Sequence, residues 1–158
     1  MKILLAIDDS SCSQAATKSL LTQFRTQGAQ VRVLSVVEPI SVYVSADAFP
    51  HFTPQVAEIE EDRKTQATDL VNRVAKELQD AGFQSSKTVD FGDAKTIIID
   101  NATHWGADLI VMGSHGWKGL NRFLLGSVSD AVARHAPCSV EIVRVPSATG
   151  TDTAKAQS

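Results

Sequence analysis

Few of the signatures that mark specialised protein classes occur in this chain of 158 residues. Its two cysteines, Cys12 and Cys138, match no metal-ligand spacing, so we expect two ordinary, partly buried thiols. The formal net charge of −3 lacks the basic excess typical of proteins that bind nucleic acid or anionic membranes. No apolar run is long enough to cross a bilayer and no signal peptide is recognisable, so we expect a cytoplasmic protein without membrane insertion.

Short apolar runs alternate with helix-like segments over residues 1–145. Strands are predicted at residues 1–8, 31–37, 84–91, 107–112 and 139–145. Helices are predicted at residues 11–27, 53–81, 94–105 and 127–136, with an irregular loop at 38–52. This alternation indicates a single α/β domain, in which an open five-stranded parallel sheet carries helices on both faces. The small polar residues 146–158 are expected to form a disordered tail.

Residues at the ends of the predicted helices, and the composition of two strands, support more detailed predictions. Gly28 is placed as the residue that follows the first helix, and Ser127 as the N-cap of the last, with Asp130 completing a capping box. The third strand is more polar than the others and should lie near a sheet edge. The strand at 107–112 is the most apolar and should lie inside the sheet.

A glycine-rich segment connects that apolar strand to the last helix. Residues 113–129 read GSHGWKGLNRFLLGSVS. Glycine lets backbone approach a ligand closely, and the free N–H groups at a helix N-terminus favour an anion. The hydroxyls of Ser127 and Ser129 can donate to phosphate oxygens. If the first and fourth strands are neighbours, Asp8 shares this crevice and suits ribose hydroxyls or Mg²⁺. From these residues alone, phosphate binding and a plain turn are about equally supported.

The same motifs resemble those of the universal stress protein family. Residues 112–116 (MGSHG), 126–129 (GSVS) and 134–138 (RHAPC) carry most of the resemblance, and residues 3–10 (ILLAIDDS) look like the family's first strand. The pattern G-x2-G-x9-G-[ST] of the ATP-binding branch is matched at Gly113, Gly116, Gly126 and Ser127. The resemblance implies an adenine nucleotide alpha hydrolase-like fold with strand order 3-2-1-4-5.

By position, the resemblance also implies functional residues for ATP, with Mg²⁺ near Asp8. The nucleotide site it implies consists of Asp8, Val36, Met112, Gly113, Gly116, Gly126, Ser127, Val128 and Ser129. Among these, Val36 is expected near adenine, Gly113 near ribose, and Gly116, Gly126, Ser127 and Ser129 near the phosphates. A homodimer is expected through the last strand, at Val140, Ile142, Val143 and Val145, since an exposed edge strand is a ready pairing surface.

Three positions depart from the family pattern. Asp9 stands where glycine is usual and is expected to add negative charge near the phosphates, where it weakens ATP binding or helps to hold a metal. Trp117 stands where arginine is common, with Lys118 and Arg122 as substitutes. Ser139 replaces the usual proline at the start of the last strand.

Four functions are weighed on this basis. The first is an ATP-binding regulatory protein of the stress response that acts on an unknown protein partner, with slow hydrolysis at most because no positioned base is evident. The second is an ATP-hydrolysing or adenylyl-transferring enzyme, although G-x4-G-K-[ST] and an SGG-type loop are missing. The third is a phosphoacceptor receiver domain, although this chain lacks a clear acceptor aspartate at the end of the third strand and a Lys-Pro pair after the fifth. The fourth is a family member without nucleotide.

Overall fold

The computed structural model describes residues 1–40, 53–116 and 125–145. Strands and helices alternate along the chain, as the sequence pattern predicts. The order is β1 (Lys2–Ala6), α1 (Ser11–Gln23), β2 (Gln30–Val37), α2 (Thr53–Asp80), β3 (Gln84–Phe91), α3 (Ala94–Trp105), β4 (Leu109–Gly113), α4 (Ser127–His135) and β5 (Ser139–Val143). Most of the predicted loop, at 41–52, and the predicted tail, at 146–158, lie outside the described residues.

All five strands are parallel and form one sheet in the order β3-β2-β1-β4-β5. This confirms the predicted fold class and strand order. It also confirms that β3 is an edge strand and that β4 is interior. Ala6, near the end of β1, lies between Leu34 of β2 and Met112 of β4. Since parallel strands end on the same side of the sheet, the segments that follow β1 and β4 are neighbours.

Helices cover both faces of the sheet, and each face has its own core layer. Alternate strand residues such as Leu5 and Val33 pack against α1 and α2, where Leu20 and Leu78 are fully buried. The residues between them, such as Leu4 and Leu34, pack against α3 and α4. Burial on both faces explains why β1 and β4 read as continuous apolar runs. No helix in the described part of the chain is long and apolar enough to cross a membrane.

Helix α1 ends four residues before the predicted position. It stops at Gln23, and Phe24 is already extended, with φ −105° and ψ 145°. Phe24 packs against the core layer, whereas residues 25–27 are exposed and offer no apolar face for another helical turn. Gly28 instead has a φ of 79° in the turn that leads into β2. The prediction of Gly28 as the residue directly after the helix was therefore wrong.

Candidate functional site

The carboxyl ends of β1 and β4 lie side by side where the strand order reverses. From β1 the chain continues outward to β2 on one side, whereas β4 and β5 lie on the other. Open α/β sheets bind ligands outside the strand ends at such a point. Asp8 follows β1, and the glycine-rich segment begins with Gly113, the last residue of β4. The condition that the sequence analysis set for a shared crevice, neighbouring first and fourth strands, is therefore met.

Gly116 lies directly against Asp8. A Cβ added to Gly116 would be 2.7 Å from Asp8 Oδ2, so only glycine allows the main chain to approach this carboxylate so closely. The approach joins the end of β1 to the segment after β4. The structure thus brings together two of the residues that the sequence predicted for the site.

Two serines at the start of α1 hold the Asp8 carboxylate. Its Oδ1 accepts hydrogen bonds from the Ser10 N–H at 3.2 Å, the Ser10 hydroxyl at 2.5 Å and the Ser13 hydroxyl at 2.6 Å. Ser10 is also the N-cap of α1, since its Oγ accepts from the Ser13 N–H at 3.2 Å. The sequence analysis did not identify either serine as a site residue. Their spacing behind an acidic residue at the start of a helix was the signal that could have found them.

Gly113 allows α1 to pack closely on β4. A Cβ at this position would lie 2.7 Å from Cys12 Cβ and 2.8 Å from the Cys12 carbonyl carbon. Both neighbours belong to the first turn of α1, and one of them is backbone, which cannot move aside cheaply. The glycine at 113 is therefore required by the packing of the scaffold itself, whatever it contributes to a ligand.

The N-cap of α4 is Gly126, so the prediction of Ser127 as N-cap was wrong. Gly126 has φ −64° and ψ 155°, and Ser127 is the first helical residue. The Gly126 N–H donates to the Ser114 carbonyl at 2.9 Å, and an added Cβ would lie 3.2 Å from that oxygen and 3.4 Å from His115 Cα. A side chain at 126 would therefore be crowded against residues 114 and 115, and the N-cap lies one residue earlier than the sequence predicted.

The side chain of Ser129 faces into the protein. It is 2% exposed, and its hydroxyl donates to the Ser114 carbonyl at 2.7 Å, with the Gly126 carbonyl at 3.0 Å. The single proton of this hydroxyl is therefore directed at the protein's own main chain. The predicted hydrogen bond from the Ser129 hydroxyl to a phosphate oxygen is in conflict with this arrangement, because that proton already bonds the Ser114 carbonyl. Ser127, in contrast, is exposed.

The first turn of α4 is capped by no side chain, whereas Ser10 caps α1 and Asp93 caps α3. The N–H groups at a helix N-terminus have no partner within the helix, and they favour an anion together with the helix dipole. Asp130 also lies in this turn, and Arg134 binds it at 3.0 Å. The hydrogen bond from Arg134 lowers the pKa of Asp130, so its carboxylate stays ionised.

The other predicted site residues, Val36, Met112 and Val128, are apolar and belong to the α3–α4 core layer. Val36, at the end of β2, and Val128, in the first turn of α4, are half-buried against the α3–α4 core layer. Met112, the penultimate residue of β4, is 5% exposed in the same layer. These three side chains belong to one apolar core layer, on the side of the sheet that carries α4.

The structure bears on metal binding in two ways. Within residues 1–40, 53–116 and 125–145, no group of three or more His, Cys, Asp or Glu side chains is placed to hold a metal ion. Asp9 is directed towards α2, where its Oδ1 lies 3.8 Å from a guanidinium nitrogen of Arg73, and both side chains are about two-thirds exposed. The positions of Trp117, Lys118 and Arg122 are outside the described residues.

A groove between α1 and α2 begins behind Asp8. Its volume is about 400 Å³. It is lined by Ile7, Asp8, Ser13, Gln14, Thr17, Lys18, Leu70, Arg73, Val74 and Glu77. Sequence reasoning missed it because its walls come from three separate segments. Asp8 lines this groove and also lies against Gly116, so it borders both the groove and the crevice.

Strand β5 forms the outer edge of the sheet beside β4. The predicted dimer residues Val140 and Ile142 are half-buried against the α3–α4 layer, and Val143 is half-buried against the α1–α2 layer. Val145 follows the strand and is 46% exposed. The main-chain edge of β5 is thus backed by a packed core on both faces.

The chain is similar to known proteins over nearly its whole length. The family model described as the universal stress protein family matches residues 1–144. A universal stress protein of Synechocystis sp. is 31% identical over 149 residues, which cover 90% of this chain and 97% of that protein.

Solved structures share the fold. The universal stress protein UspA from Lactobacillus plantarum has a TM-score of 0.78 at 27% identity, covering 91% of this chain and 97% of that one. An Arabidopsis thaliana protein of the same family, solved with AMP bound, has a TM-score of 0.63 at 19% identity, covering 93% of each chain.

Proposed function

The chain belongs to the universal stress protein family, and from that premise we propose that it binds ATP in the crevice between β1 and β4 and acts as a nucleotide-dependent regulatory protein of the stress response. One observation carries the proposal. The acidic residue after β1, the glycine-rich segment after β4 and the first turn of α4, which no side chain caps, converge where the strand order reverses.

Each part of the crevice suits a different part of the nucleotide. The N–H groups of the first turn of α4 and the main chain of Gly116 and Gly126 suit the phosphates. The Asp8 carboxylate, an acceptor when ionised, suits the ribose hydroxyls. The apolar side chains of Val36, Met112 and Val128, which share one core layer, suit the adenine ring.

Related structures support an adenine nucleotide as the ligand. Proteins of this family with the same fold have been solved with AMP bound, in complex with cAMP and in complex with dAMP. The triphosphate is our proposal from the matched glycine pattern and from the helix N-terminus, which can hold more than one phosphate group together with neighbouring glycine N–H groups.

Mg²⁺ is proposed to enter with the nucleotide. Asp8 is the one predicted site residue with a carboxylate, and the described residues offer no cluster of ligands that would hold a metal by themselves. Mg²⁺ commonly keeps several waters and binds through one or two carboxylates plus substrate phosphates. When bound, it would neutralise phosphate charge beside Asp8.

Slow hydrolysis at most follows from the same residues. In the described part of the chain, the nearest imidazole to the crevice belongs to His115, whose Nδ1 lies 3.1 Å from the Ser114 hydroxyl. Ser114 is 2% exposed, and its hydroxyl occupies one of the two ring nitrogens of His115, which is itself half-buried. We propose that the site serves nucleotide binding and protein contacts more than turnover. The protein partner is proposed to distinguish the nucleotide-bound form from the empty form.

A homodimer through β5 completes the proposal. The strand presents an unpaired main-chain edge in the described chain, and exposed edges of this kind pair readily with a second copy. Its residues Val140, Ile142 and Val143 pack against the core, and Val145 adds exposed apolar surface beyond the strand.

The decisive experiment is release and identification of bound nucleotide, followed by calorimetric titration of the emptied protein with ATP and Mg²⁺. Binding stabilises the folded state, so ATP at 100 times its Kd should add about 2.7 kcal/mol to the free energy of unfolding. GTP and inorganic triphosphate serve as controls for the base and for the phosphates alone. Neither bound nucleotide nor a rise in melting temperature at millimolar ATP would contradict the proposal.

A further inference from the structure

The hydroxyl of Ser13 is bonded to Asp8 twice. It accepts a hydrogen bond from the Asp8 N–H at 3.0 Å and donates one to Asp8 Oδ1 at 2.6 Å. One hydroxyl thereby links the main chain and the side chain of the same residue. A ring of this kind restricts the rotation of the Asp8 side chain about its first dihedral angle.

Ser13 is suited to this task by its place in the fold. It is 5% exposed and sits in the first turn of α1, where its own N–H is held by the Ser10 hydroxyl at 3.2 Å. Ser10 donates to the same Asp8 oxygen, but it also caps α1 and lies 3.4 Å from the His115 carbonyl. Replacing Ser10 would disturb several contacts together, whereas the Ser13 hydroxyl hydrogen-bonds Asp8.

The two oxygens of the Asp8 carboxylate have different surroundings. Oδ1 accepts from the serines of α1, whereas Oδ2 faces Gly116, where an added Cβ would be 2.7 Å away. Both serines hold the same oxygen. Their combined effect is to aim the other oxygen at the glycine-rich segment.

We propose that Ser13 is a positioning residue for nucleotide binding, which holds Asp8 in the rotamer that directs one carboxylate oxygen at a ribose hydroxyl. The inference rests on the proposed function, because the role exists only if a nucleotide binds. Immobilising one side chain on binding costs about 0.5–1.5 kcal/mol, so a preset Asp8 strengthens the ribose contact by about two- to tenfold.

The groove between α1 and α2 provides a conservative variant. Ser13 lines this groove of about 400 Å³, so the additional methyl group of threonine has space beside it. Ser13→Thr keeps the hydroxyl, Ser13→Cys keeps the volume with a much weaker donor, and Ser13→Ala removes the donor. Ser11→Ala is the matched control, since Ser11 lies in the same turn of α1 with an exposed side chain.

The test compares the affinities of ATP and 2′,3′-dideoxy-ATP by calorimetry for each folded variant. The unsubstituted protein, Ser13→Thr and Ser11→Ala should prefer ATP by the same ratio. In Ser13→Ala this ratio should fall by about two- to tenfold, and if that variant does not fold, Ser13→Cys carries the comparison. A merely structural role would weaken both nucleotides equally and leave the ratio unchanged.

The outcomes separate this inference from the function beneath it. No nucleotide binding by the unsubstituted protein would overturn both. Binding of ATP with equal affinity for the dideoxy analogue, or a ratio in Ser13→Ala and Ser13→Cys that matches the unsubstituted protein, would overturn the positioning role and leave the proposed function standing.

Discussion

Gly113 at the end of β4 and Cys12 in the first turn of α1 are in such close contact that an added Cβ at 113 would lie 2.7 Å from Cys12 Cβ and 2.8 Å from the Cys12 carbonyl carbon. The strand and the helix could not pack in this way with any other residue at position 113. This contact fixes the start of the glycine-rich segment relative to α1, and α1 in turn carries the serines that hold Asp8.

Gly113→Ala should therefore destabilise the fold. Forcing a methyl group into a packed contact costs typically 1–3 kcal/mol, and here one neighbour is backbone. Urea denaturation followed by circular dichroism measures the loss. An unchanged midpoint would show that α1 and β4 can separate at no cost, contrary to this packing.

Gly116→Ala should affect binding more than stability. The obstructing atom is Asp8 Oδ2, at the far end of a side chain, so the carboxylate can turn aside while the fold remains intact. If the proposed function holds, the displaced carboxylate and the crowded main chain should weaken ATP about tenfold, a loss of about 1.4 kcal/mol. Calorimetry and thermal melting of the same sample separate the two effects. A melting temperature that falls as far as that of Gly113→Ala would contradict the prediction.

Ser129→Ala and Ser127→Ala form a matched pair on one helix. Ser129→Ala removes a buried hydrogen bond to the Ser114 carbonyl and should cost about 1 kcal/mol of stability. Ser127 is exposed, so its replacement should leave the free energy of unfolding within about 0.5 kcal/mol. Denaturant titration of both variants tests this order, and an equal loss in both would contradict the assigned roles.

Asp93 should make the stability of α3 depend on pH. The Thr96 backbone N–H at 3.0 Å and the Thr96 hydroxyl at 2.8 Å lower the pKa of Asp93 from its ordinary value of 3.8. Its folded pKa is depressed, so the stabilisation is present above pH 3.8 and is lost as pH falls through the lower, folded value.

Asp93→Ala should accordingly be less stable than the unsubstituted protein at pH 7, and the difference should shrink in acid. Asp93→Asn is the control, since asparagine also caps helices but carries no titrating group. Melting temperatures measured from pH 7 to pH 3 provide the comparison. A difference between Asp93→Ala and the unsubstituted protein that grows in acid would have the wrong sign.

Val145→Asp should shift the protein from dimer to monomer if pairing occurs through β5. Val145 is 46% exposed just beyond the strand. In a dimer paired through β5, the aspartates introduced at 145 in both copies would add negative charge at the interface and repel each other. Val145→Thr, which has a similar shape without a charge, should remain dimeric. Analytical ultracentrifugation over a range of concentrations measures both, and a monomeric unsubstituted protein would contradict the proposed pairing.

Much of the fold was predictable because it depends on local patterns. Strands buried on both faces, such as β1 and β4, produce continuous apolar runs that periodicity detects. Gly106 ends α3 in the left-handed conformation, with a φ of 68°, as a glycine directly after a helix suggests. The resemblance of residues 112–116 and 126–129 to a known family then selected the strand order, which the structure confirms.

The sequence alone thus determined the alternation of elements and the family. Only the tertiary structure decided what the residues around the crevice contact. Gly113 packs against α1, and Gly126 is the N-cap of α4. Asp9 lies near Arg73, and the Ser13 hydroxyl donates to Asp8. The reason is physical: helices and strands follow from neighbours in the chain, whereas these contacts join separate segments whose distances depend on how the whole sheet is packed.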